Sequence, residues 1–408
     1  MRILVHEFVS GGGLAGRVVS APLARQGAAM LAALVADLAA VPCHQIVTTA
    51  DVRFPFTGPP GVEVVTLLAG HPALLDDLTL SADAVWLVAP ETDRCLERLA
   101  SRVEQKGKAL LGPGADAIRC ASDKAGLPRL LARHAVPHPK TCVLRAGVDC
   151  EIAAREIGYP VVVKPARGAG CHGVCLARDA RELRSAVDWA HGGNGRGPLL
   201  LQRHVKGVAA SVSLLADGRR AVALAVNAQS VRASRGPRLD EALSEKSGNR
   251  AGAPFRQFSY RGGTTPLDHP LAGRAVEAAL RTCQALPGLR GYVGVDLVLT
   301  ESEAIVIEVN PRLTMAYLGV RAVLEENVAA LALAACRGDL PAPPLSRRRV
   351  RFTAAGRIVS TITHSPRERR VLSVIPLRPP RPLRLMKAAC APLTRLPDHP
   401  IIQLPNAK

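Results

Sequence analysis

Residues 291–312 have the sequence GYVGVDLVLTESEAIVIEVNPR, in which acidic side chains sit on two apolar stretches joined by a short polar turn. Apolar residues recur along both halves, which predicts an antiparallel hairpin. Facing residues of such a hairpin lie about 5 Å apart, so we expect Asp296 beside Glu308, with Asn310 at the end of the second strand. Carboxylate and amide oxygens suit Mg²⁺. The hairpin therefore predicts a metal site; the alternative is two polar strand ends on an ordinary sheet edge.

Upstream of this hairpin the chain carries two lysines and a glycine-rich loop. The run PVVVKP at 160–165 predicts a buried strand ending in Lys164, and the next eight residues, 166–173, contain three glycines. Lys124 lies earlier still, and Arg312, two residues after Asn310, can clamp a phosphate. Each motif is weak alone, but their order along the chain is informative.

This ordered set resembles the ATP-grasp superfamily over residues 115–335. The resemblance implies an α/β fold: an N-terminal open parallel α/β (pre-ATP-grasp) domain and two α+β lobes that enclose the nucleotide. The implied cofactors are ATP and Mg²⁺ or Mn²⁺, and the implied activity is ADP-forming ligation of a carboxylate to an amine through an acyl phosphate. The expected domains are 1–114, 115–204 with the glycine flap, 205–340 with the metal site, and a basic Pro/Arg-rich extension at 341–408.

The resemblance also assigns roles to individual residues. The catalytic candidates are Arg312, Lys164, Gly168 and Gly170. The metal candidates are Asp296, Glu308 and Asn310. The nucleotide-binding candidates are Lys124, Lys164, Gly168, Gly170, Gly173, Gln202, Arg203, Val205 and Asn310. The chain departs from many family members at Ala209, where they carry a ribose-binding Glu, and at Gly294, where they carry an arginine. Ribose recognition is therefore unassigned, and Arg312 is the candidate to meet the charge on the transferred phosphoryl group.

Several segments more narrowly resemble the tyramine–glutamate ligases of methanofuran biosynthesis and their bacterial relatives. They are residues 6–13, 89–93, 209–213, 227–229, 260–263 and 310–314. This narrower resemblance implies that the side-chain carboxylate of glutamate is joined to tyramine or tyrosine. The substrate candidates are Glu7, Ser10, Gly11, Glu91, Asn227, Gln229, Gly262 and Gly263, with Asp93 and Arg261 beside them. The alternatives are another ATP-grasp amino-acid or peptide ligase, or a non-catalytic ATP-binding regulatory protein.

The N-terminal region predicts a parallel sheet, because apolar strands at 2–9, 45–49, 62–67 and 84–88 are separated by helical patterns such as 22–40. Ligands of such sheets bind at the carboxyl ends of strands, where Glu7 and Glu91 fall. Glu7 then either anchors an amine or caps structure within the first domain. Farther along, we expect helices at Ser122–Arg133 and Tyr317–Cys336, a polar loop at 230–255, and a hairpin of 350–353 with 357–363.

Composition limits the classes of protein that the chain can represent. With 408 residues it is too long for one core. The net charge of +19 suggests nucleic acid, but aromatic residues are only 3% and residues 345–408 hold twelve of those charges, so small-molecule substrates are favoured over nucleic acid. No apolar run reaches the length of a membrane span, and residues 1–5 predict a strand rather than a signal peptide. The ten scattered cysteines suit a reducing cytoplasm. The resemblance is also compatible with a homodimer.

Overall fold

The N-terminal part of the chain forms a parallel sheet, because short apolar strands alternate with helices there. Its strands are β1 (Arg2–Glu7), β2 (Gln45–Asp51), β3 (Glu63–Leu67), β4 (Ala84–Val88) and β5 (Ala109–Leu110). Their order across the sheet is β3-β2-β1-β4-β5. β1 and β4 are parallel neighbours, with Glu7 opposite Val88. The loops that follow these two strands therefore leave the same edge of the sheet.

The structure is a computed structural model and describes most of the chain. The described residues are 1–68, 72–145, 148–168, 170–171, 173–194, 197–235, 254–344, 346 and 348–363. All of them lie in one compact unit, Met1–Leu372. Within these ranges, no helix combines the length and the apolar character needed to cross a membrane. The nine cysteines of these ranges are free thiols, as the sequence predicts.

Helices cover both faces of the first sheet and flank the rest of the chain. They are α1 (Ala21–Ala39), α2 (Pro72–Ser81), α3 (Cys95–Gln105), α4 (Ala115–Ser122), α5 (Leu127–Arg133), α6 (Cys150–Ile157), α7 (Ala180–Asn194), α8 (Ala272–Ala285), α9 (Ala316–Val323) and α10 (Val328–Cys336). Strand β1 shows how the faces divide, because successive side chains point to opposite sides. Ile3 and Val5 pack with Leu34 of α1, whereas Leu4 packs with Leu78 of α2.

The remaining strands form one larger sheet. They are β6 (Thr141–Leu144), β7 (Val161–Pro165), β8 (Cys175–Ala177), β9 (Leu199–Arg203), β10 (Val208–Asp217), β11 (Ala221–Arg235), β12 (Arg256–Thr265), β13 (Arg290–Leu299), β14 (Ala304–Asn310), β15 (Arg348–Thr353) and β16 (Ile358–Thr363). The main order is β14-β13-β10-β11-β12-β8-β7-β9-β6. We call β6–β9 with α6 and α7 lobe A, and β10–β16 with α8–α10 lobe B. Only Arg256 and Gln257 of β12 pair with β8, so the lobes meet along a short seam.

The first domain and lobe B share a hydrophobic core and a polar cluster. Asp37 of α1 accepts a hydrogen bond from the Tyr317 hydroxyl at 2.6 Å. Its carboxylate also receives two N–H donors of Arg321 at 2.9 and 2.6 Å. Asn327 donates to the Asp37 carbonyl at 2.8 Å. These contacts fix α1 against α9 and α10, and so set where the end of β1 lies relative to the metal strands.

The predicted helix from Ser122 to Arg133 is wrong at its start. Ser122 is the last residue of α4, and α5 begins only at Leu127, with a proline in its first turn. Between them the Asp123 carboxylate accepts a hydrogen bond from the backbone N–H two residues ahead at 3.1 Å, which stabilises a turn. Lys124 therefore lies in a turn between two helices rather than in the first turn of one.

The predicted helix from Tyr317 to Cys336 is two helices. α9 ends at Val323, and Asn327 caps α10 by accepting a hydrogen bond from the Ala330 N–H at 3.0 Å. The polar residues before Asn327 break an otherwise apolar pattern. The polar loop expected at 230–255 is also partly wrong, because β11 continues to Arg235; residues 236–253 lie outside the described part of the chain.

The expected C-terminal hairpin is present and joins the sheet of lobe B. β15 pairs with β12 from Gly262 to Thr265, and β16 pairs with β15. Val350 and Phe352 of β15 are each only 2% exposed, within the core shared with the first domain. The first part of the expected extension at 341–408 is therefore built into the fold, and residues 364–408 lie outside the described residues.

Candidate nucleotide and metal site

The hairpin of β13 and β14 brings the predicted metal ligands together. Asp296 is paired directly with Glu308, and Gly294 with Asn310, in an antiparallel register. The Asn310 amide donates to Asp296 Oδ2 at 3.1 Å, so its own carbonyl oxygen is left for another partner. The predicted hairpin is confirmed, and the three oxygen-bearing side chains lie on one face of the sheet.

Gln229 of β11 contacts the Asp296 carboxylate at the oxygen that Asn310 does not contact. Its amide donates to Asp296 Oδ1 at 2.8 Å, so both oxygens of Asp296 accept from an amide. Burial, together with repulsion from Glu308, raises the pKa of Asp296 above its ordinary value. The structure thus places Gln229 against a metal candidate, whereas the sequence predicts that it contacts substrate.

Lys124 lies against Glu308 and the glycine loop at the same time. Its Nζ donates to Glu308 Oε2 at 2.7 Å and to the Gly168 carbonyl at 2.7 Å. Burial would lower the pKa of Lys124, but the charge and hydrogen bond of Glu308, together with the charges of Glu91 and Asp296, raise it. For Glu308, burial would raise the pKa, but the charges of Lys124 and Lys164 lower it. A lysine, a metal candidate and the flap backbone are therefore joined in one contact.

Lys164 occupies the end of β7, where it is 5% exposed. Its Nζ donates to Gln202 Oε1 at 3.0 Å, and the Gln202 amide donates to the Thr141 hydroxyl at 3.0 Å. Burial and the nearby charge of Lys124 lower the pKa of Lys164 to about 8. Bound anionic oxygens would favour the charged form of this lysine. Thr141 is a residue that sequence reasoning misses, since no motif marks it.

The glycine-rich loop after β7 contains residues with positive φ. Gly170 and Gly173 adopt φ values of +68° and +70°, which favour glycine, and Gly168 provides the carbonyl bound by Lys124. Cys171 also has a positive φ, of 64°. Residues 169 and 172 lie outside the described part, so the His172 side chain is not placed.

The segment between the lobes contains the other nucleotide candidates. Arg203 ends β9 with an exposed side chain, and its N–H donates to the Lys140 carbonyl at 2.9 Å. Val205 follows in the connection to β10, partly exposed. Beside it, the His204 ring stacks on Phe258 at 6.4 Å between centroids. Flat, partly exposed rings at a junction between lobes suit stacking on a planar base.

Arg312 and Glu91, predicted to contact phosphate and substrate respectively, pair with each other. Arg312 Nε and Nη2 donate to the two Glu91 oxygens at 2.9 Å each. The side chains are 12% and 5% exposed, so the pair is largely buried. Arg312 Nη1 also donates to the Leu313 carbonyl at 3.2 Å. Glu91 is thus not available as an amine anchor in this conformation; Asp93, nearby, is exposed with a φ of 51°.

In this structure Glu7 makes internal contacts of the kind expected if it caps the first domain. Glu7 is 2% exposed, and its Oε2 accepts hydrogen bonds from the Ser10 N–H and hydroxyl, both at 2.6 Å. Burial raises the pKa of Glu7, although the Ser10 hydrogen bonds oppose the shift. A Cβ on Gly11 would lie 2.2 Å from the Glu7 carbonyl, so that glycine is needed for packing. In this conformation Glu7, Ser10 and Gly11 contact one another within the loop after β1, and the Glu7 carboxylate does not face a ligand.

Asn227 and the paired glycines, which the sequence predicts to contact substrate, have internal contacts in this structure. Asn227 is 1% exposed, and its amide donates to Ser211 and Ser213 while its carbonyl accepts from Thr265. Gly262 and Gly263 lie between β11 and β15, with both neighbours paired. A Cβ on Gly262 would lie 2.1 Å from the Phe352 carbonyl, so these glycines admit the C-terminal hairpin. Arg261 is exposed beside them.

Tyr260, the first residue of the segment 260–263, lies near the metal candidates although the sequence assigns it no role. It lies on β12, and its pKa is raised first by burial and then by the charge of Asp296. Its hydroxyl therefore shares the environment of the metal candidates. A tyrosine in a strand has no spacing that distinguishes this position from an ordinary core position, so only the fold shows it.

The donor set fits a divalent cation with a nucleotide. Asp296, Glu308 and Asn310 supply the hard oxygen atoms that Mg²⁺ prefers, and a carboxylate pair without a cation is costly when buried. In the structure the Lys124 ammonium offsets the charge of Glu308. The two lysines and the flap lie beside these oxygens, where phosphate groups of a nucleotide would be met.

The fold and this arrangement define an ATP-grasp protein. Residues 121–316 match the ATP-grasp_3 family model, an ATP-grasp domain, and residues 44–118 match the pre ATP-grasp 3 domain. The chain therefore belongs to the ATP-grasp superfamily, with a pre-ATP-grasp domain on its N-terminal side.

Curated relatives and solved structures agree with this family. The chain is 29% identical over 208 residues to the uncharacterized protein y4rH of Sinorhizobium fredii, and 24% identical over 214 residues to the carbamoyl phosphate synthase large chain of Clostridium acetobutylicum. The matches cover 50% and 52% of this chain but only 39% and 18% of those relatives.

Two solved structures share the fold over most of the chain. An ATP-grasp superfamily protein from Archaeoglobus fulgidus superposes with a TM-score of 0.60 at 22% identity, covering 90% of this chain and 100% of that one. The biotin carboxylase domain dimer of 2-oxoglutarate carboxylase from Hydrogenobacter thermophilus, in complex with MgADP, ADP and bicarbonate, has a TM-score of 0.62 at 17% identity. It covers 86% of this chain and 73% of that chain.

Proposed function

We propose that this protein is an ADP-forming ligase that activates a carboxylate with ATP and joins it to an amine. The observation that carries the proposal is the convergence of Lys124, Lys164 and the glycine flap on Asp296 and Glu308. That set combines donors for phosphate oxygens with ligands for a divalent cation in one buried place. The match to the ATP-grasp domain supports ATP as the nucleotide.

The reaction that suits these groups has two transfers. A carboxylate oxygen attacks the γ-phosphorus of ATP, and ADP leaves. The amine nitrogen then attacks the acyl carbon, phosphate leaves and the amine loses a proton, which gives an amide. Phosphoryl transfer needs positioning and charge neutralisation rather than a covalent contribution from the protein. The acyl phosphate also needs protection from water, which a flap closing over the phosphates provides.

The residues of the site divide this work. Asp296, Glu308 and Asn310 would hold Mg²⁺, which would supply positive charge to the phosphate oxygens. Gln229 orients Asp296 through its 2.8 Å hydrogen bond. Lys164 binds phosphate from the end of β7 and is oriented by Gln202.

Lys124 changes partners in this mechanism. In the structure it neutralises Glu308 and tethers the flap through Gly168. With a nucleotide and a cation bound, Glu308 would be a ligand for the cation and Lys124 would be free to bind phosphate oxygens. The lysine therefore keeps the charge of the site balanced before and after loading.

Arg312 is the candidate for the charge of the transferred phosphoryl group. Its pairing with Glu91 leaves one N–H on each terminal nitrogen free of the contacts described above. Glu91 therefore acts as a positioning residue: it fixes the plane of the guanidinium. Because Glu91 comes from the loop after β4, the first domain takes part in aligning the phosphate site.

The narrower form of the proposal is that the protein joins glutamate to tyramine or tyrosine in the synthesis of a methanofuran-type cofactor. The resemblance of segments such as 6–13 and 89–93 supports it. In that proposal Glu7 and Glu91 would bind a cationic amine. Their carboxylates are instead hydrogen-bonded to Ser10 and Arg312 in this structure, which argues against that role. The residues that choose the amine are therefore sought elsewhere, with Tyr260 as a candidate on the wall near Asp296.

The first test is ADP release by the purified protein with MgATP, glutamate and a panel of amines that includes tyramine and tyrosine. We expect substrate-dependent ADP release in the wild type. Glu308→Gln removes a cation ligand while conserving shape, and it should lower the rate at least about a hundredfold, or roughly 2.7 kcal/mol.

The matched control is Glu303→Gln, which makes the same change at an exposed position in the turn of the same hairpin. It should leave the rate unchanged. A folded Glu308→Gln protein that releases ADP at the wild-type rate would contradict the metal assignment. If glutamate fails with every amine while another carboxylate works, only the narrower substrate proposal is wrong.

A further inference from the structure

A second ligand-sized cavity lies away from the nucleotide cleft. It has a volume of about 700 Å³ and runs between α3, α4 and the turn that leads into β13. Four exposed arginines line it, and we call it the arginine groove: Arg94, Arg98, Arg119 and Arg290. Three of them come from α3, its cap and α4, and the fourth comes from lobe B. Its volume lies within the range of small-molecule sites.

Half of the positive charge in the arginine groove is already paired. Arg94 donates to both oxygens of Glu97 at the base of the groove, one contact being 2.7 Å. Arg119 pairs with Asp116 at 2.7 Å and approaches Glu97 at 3.9 Å. The remaining acidic side chain, Glu104, accepts from the first N–H of α4 at 3.1 Å. The acidic side chains of the groove are therefore all engaged with internal donors.

Arg98 and Arg290 have no carboxylate partner among the residues that the structure describes. Arg98 makes only a 3.9 Å contact with the Cys95 sulfur. The Arg290 guanidinium packs over the backbone of Gly218, where a Cβ would lie 3.4 Å from Nη2. Two unpaired guanidinium groups thus line one concave surface from different parts of the fold, and such groups repel each other unless an anion lies between them.

An arginine outside the groove, Arg167, adds positive charge to that of the four lining arginines. Hydrogen bonds from Arg94 lower the pKa of Glu97 despite its burial, and the charges of Arg119 and Arg167 lower it further. Arg167 belongs to the loop after β7, so the positive field extends beyond the groove. Guanidinium groups bind phosphate and carboxylate oxygens through paired N–H donors.

We propose that the arginine groove binds a small multivalent anion, a phosphate ester or a polycarboxylate, between the first domain and lobe B. The site is distinct from the nucleotide cleft, because the two share no lining residue. The proposal does not rest on the ligase reaction. Arg98 and Arg290 contact the two ends of the anion. Arg94 and Arg119, which are paired with carboxylates, line the base of the groove.

The test measures binding of sodium pyrophosphate and of citrate to the full chain by calorimetry, without divalent metal. All variants carry Lys164→Met as well, which weakens phosphate binding in the nucleotide cleft. We expect at least one of the two probes to bind the Lys164→Met protein. The probe that binds with the higher affinity identifies the ligand as a phosphate or a carboxylate. Adding Arg98→Gln and Arg290→Gln should weaken that binding at least tenfold.

The matched control adds Arg25→Gln and Arg133→Gln, which removes two exposed charges outside the groove. It should bind the probe as the Lys164→Met protein does. Thermal melting of each variant checks that the fold is kept. Failure of both probes to bind overturns the proposal. An equal loss of probe binding in the two double-arginine variants also overturns it, because that result would indicate unspecific attraction to a basic protein. Unchanged probe binding after replacement of Arg98 and Arg290 overturns it as well.

Discussion

His6 shows how burial alone sets the chemistry of a side chain. It is fully buried in β1, and its Nδ1 lies 2.8 Å from the Thr49 hydroxyl. Its Nε2 has no hydrogen-bond partner among the described residues. Burial, aided by the charge of Arg102, lowers the pKa of His6 to about 4. The folded protein therefore holds this imidazole neutral.

We predict that His6 makes the protein sensitive to acid. Since its pKa is lower in the folded chain than in the unfolded chain, where it is near 6.5, the unfolded chain binds more protons between those values. Stability is therefore full above about pH 6.5 and is lost as the pH falls toward 4. Between pH 7 and pH 5 the expected loss is about 2 kcal/mol.

Denaturant unfolding at the two pH values measures this loss. His6→Asn keeps a polar atom near Thr49 and removes the titration, so its stability should depend less on pH by about 2 kcal/mol. His134→Asn, at an exposed position, should retain the pH dependence of the wild type. Equal pH dependence in His6→Asn and the wild type would show that other groups govern acid unfolding.

Residue type could be predicted from the sequence better than residue role. The pairing of Asp296 with Glu308, and the place of Asn310 on the same face, could be predicted because strand periodicity fixes which residues face each other. Asn227 has the same amide as Asn310, but the two neighbouring strands, β10 and β12, supply its hydrogen-bond partners and bury it. Spacing along one strand does not reveal what the neighbouring strands present, so a core amide and a ligand amide look alike in the sequence.

At the scale of elements, Lys124 tethers the glycine-rich loop after β7. Lys124 holds the Gly168 carbonyl at 2.7 Å, while the positive φ values of Gly170 and Gly173 leave the loop little regular structure. We predict that trypsin cleaves after Arg167 in the free protein and that Mg²⁺ with a non-hydrolysable ATP analogue slows this cleavage. Closure over phosphates removes the bond from the protease.

Lys124→Met sharpens this experiment because it removes the tether. It should raise cleavage after Arg167 several-fold in the free protein and abolish the protection by nucleotide. Cleavage after Arg219, in the exposed turn between β10 and β11, serves as the internal control and should not change. If the analogue gives no protection in the wild type, the loop is not the nucleotide flap.

Element boundaries were predictable where a pattern stops sharply and not where it continues. β4 has its expected bounds because apolar residues end abruptly. The helix expected from Tyr317 is broken because Asn327 caps a new one, and a cap inside an apolar pattern looks like an exposed polar position. β11 runs on to Arg235 because pairing with β12 outweighs its polar composition.

At the scale of the whole molecule, the end of the described chain stabilises its beginning. The hairpin of β15 and β16 extends β12, and Val350 and Phe352 fill the core that the first domain shares with lobe B. Its turn contacts α1, since a Cβ on Gly356 would lie 2.2 Å from that of Ala29. The sequence groups this hairpin with the basic extension, because the arginines of β15 mask the two apolar positions of that strand.

Two truncations separate the hairpin from the residues beyond it. A chain ending at Thr363 keeps every contact described here, so we predict wild-type melting and wild-type affinity for an ATP analogue. A chain ending at Pro344 loses β15 and β16, and burial of Val350 and Phe352 at about 2 kcal/mol each implies a loss of roughly 4 kcal/mol. Thermal melting and analogue titration measure both effects. Because the lysines, the flap and the metal strands all precede residue 313, a folded chain ending at Thr363 that no longer binds the analogue would contradict the prediction and assign residues 364–408 to the nucleotide site.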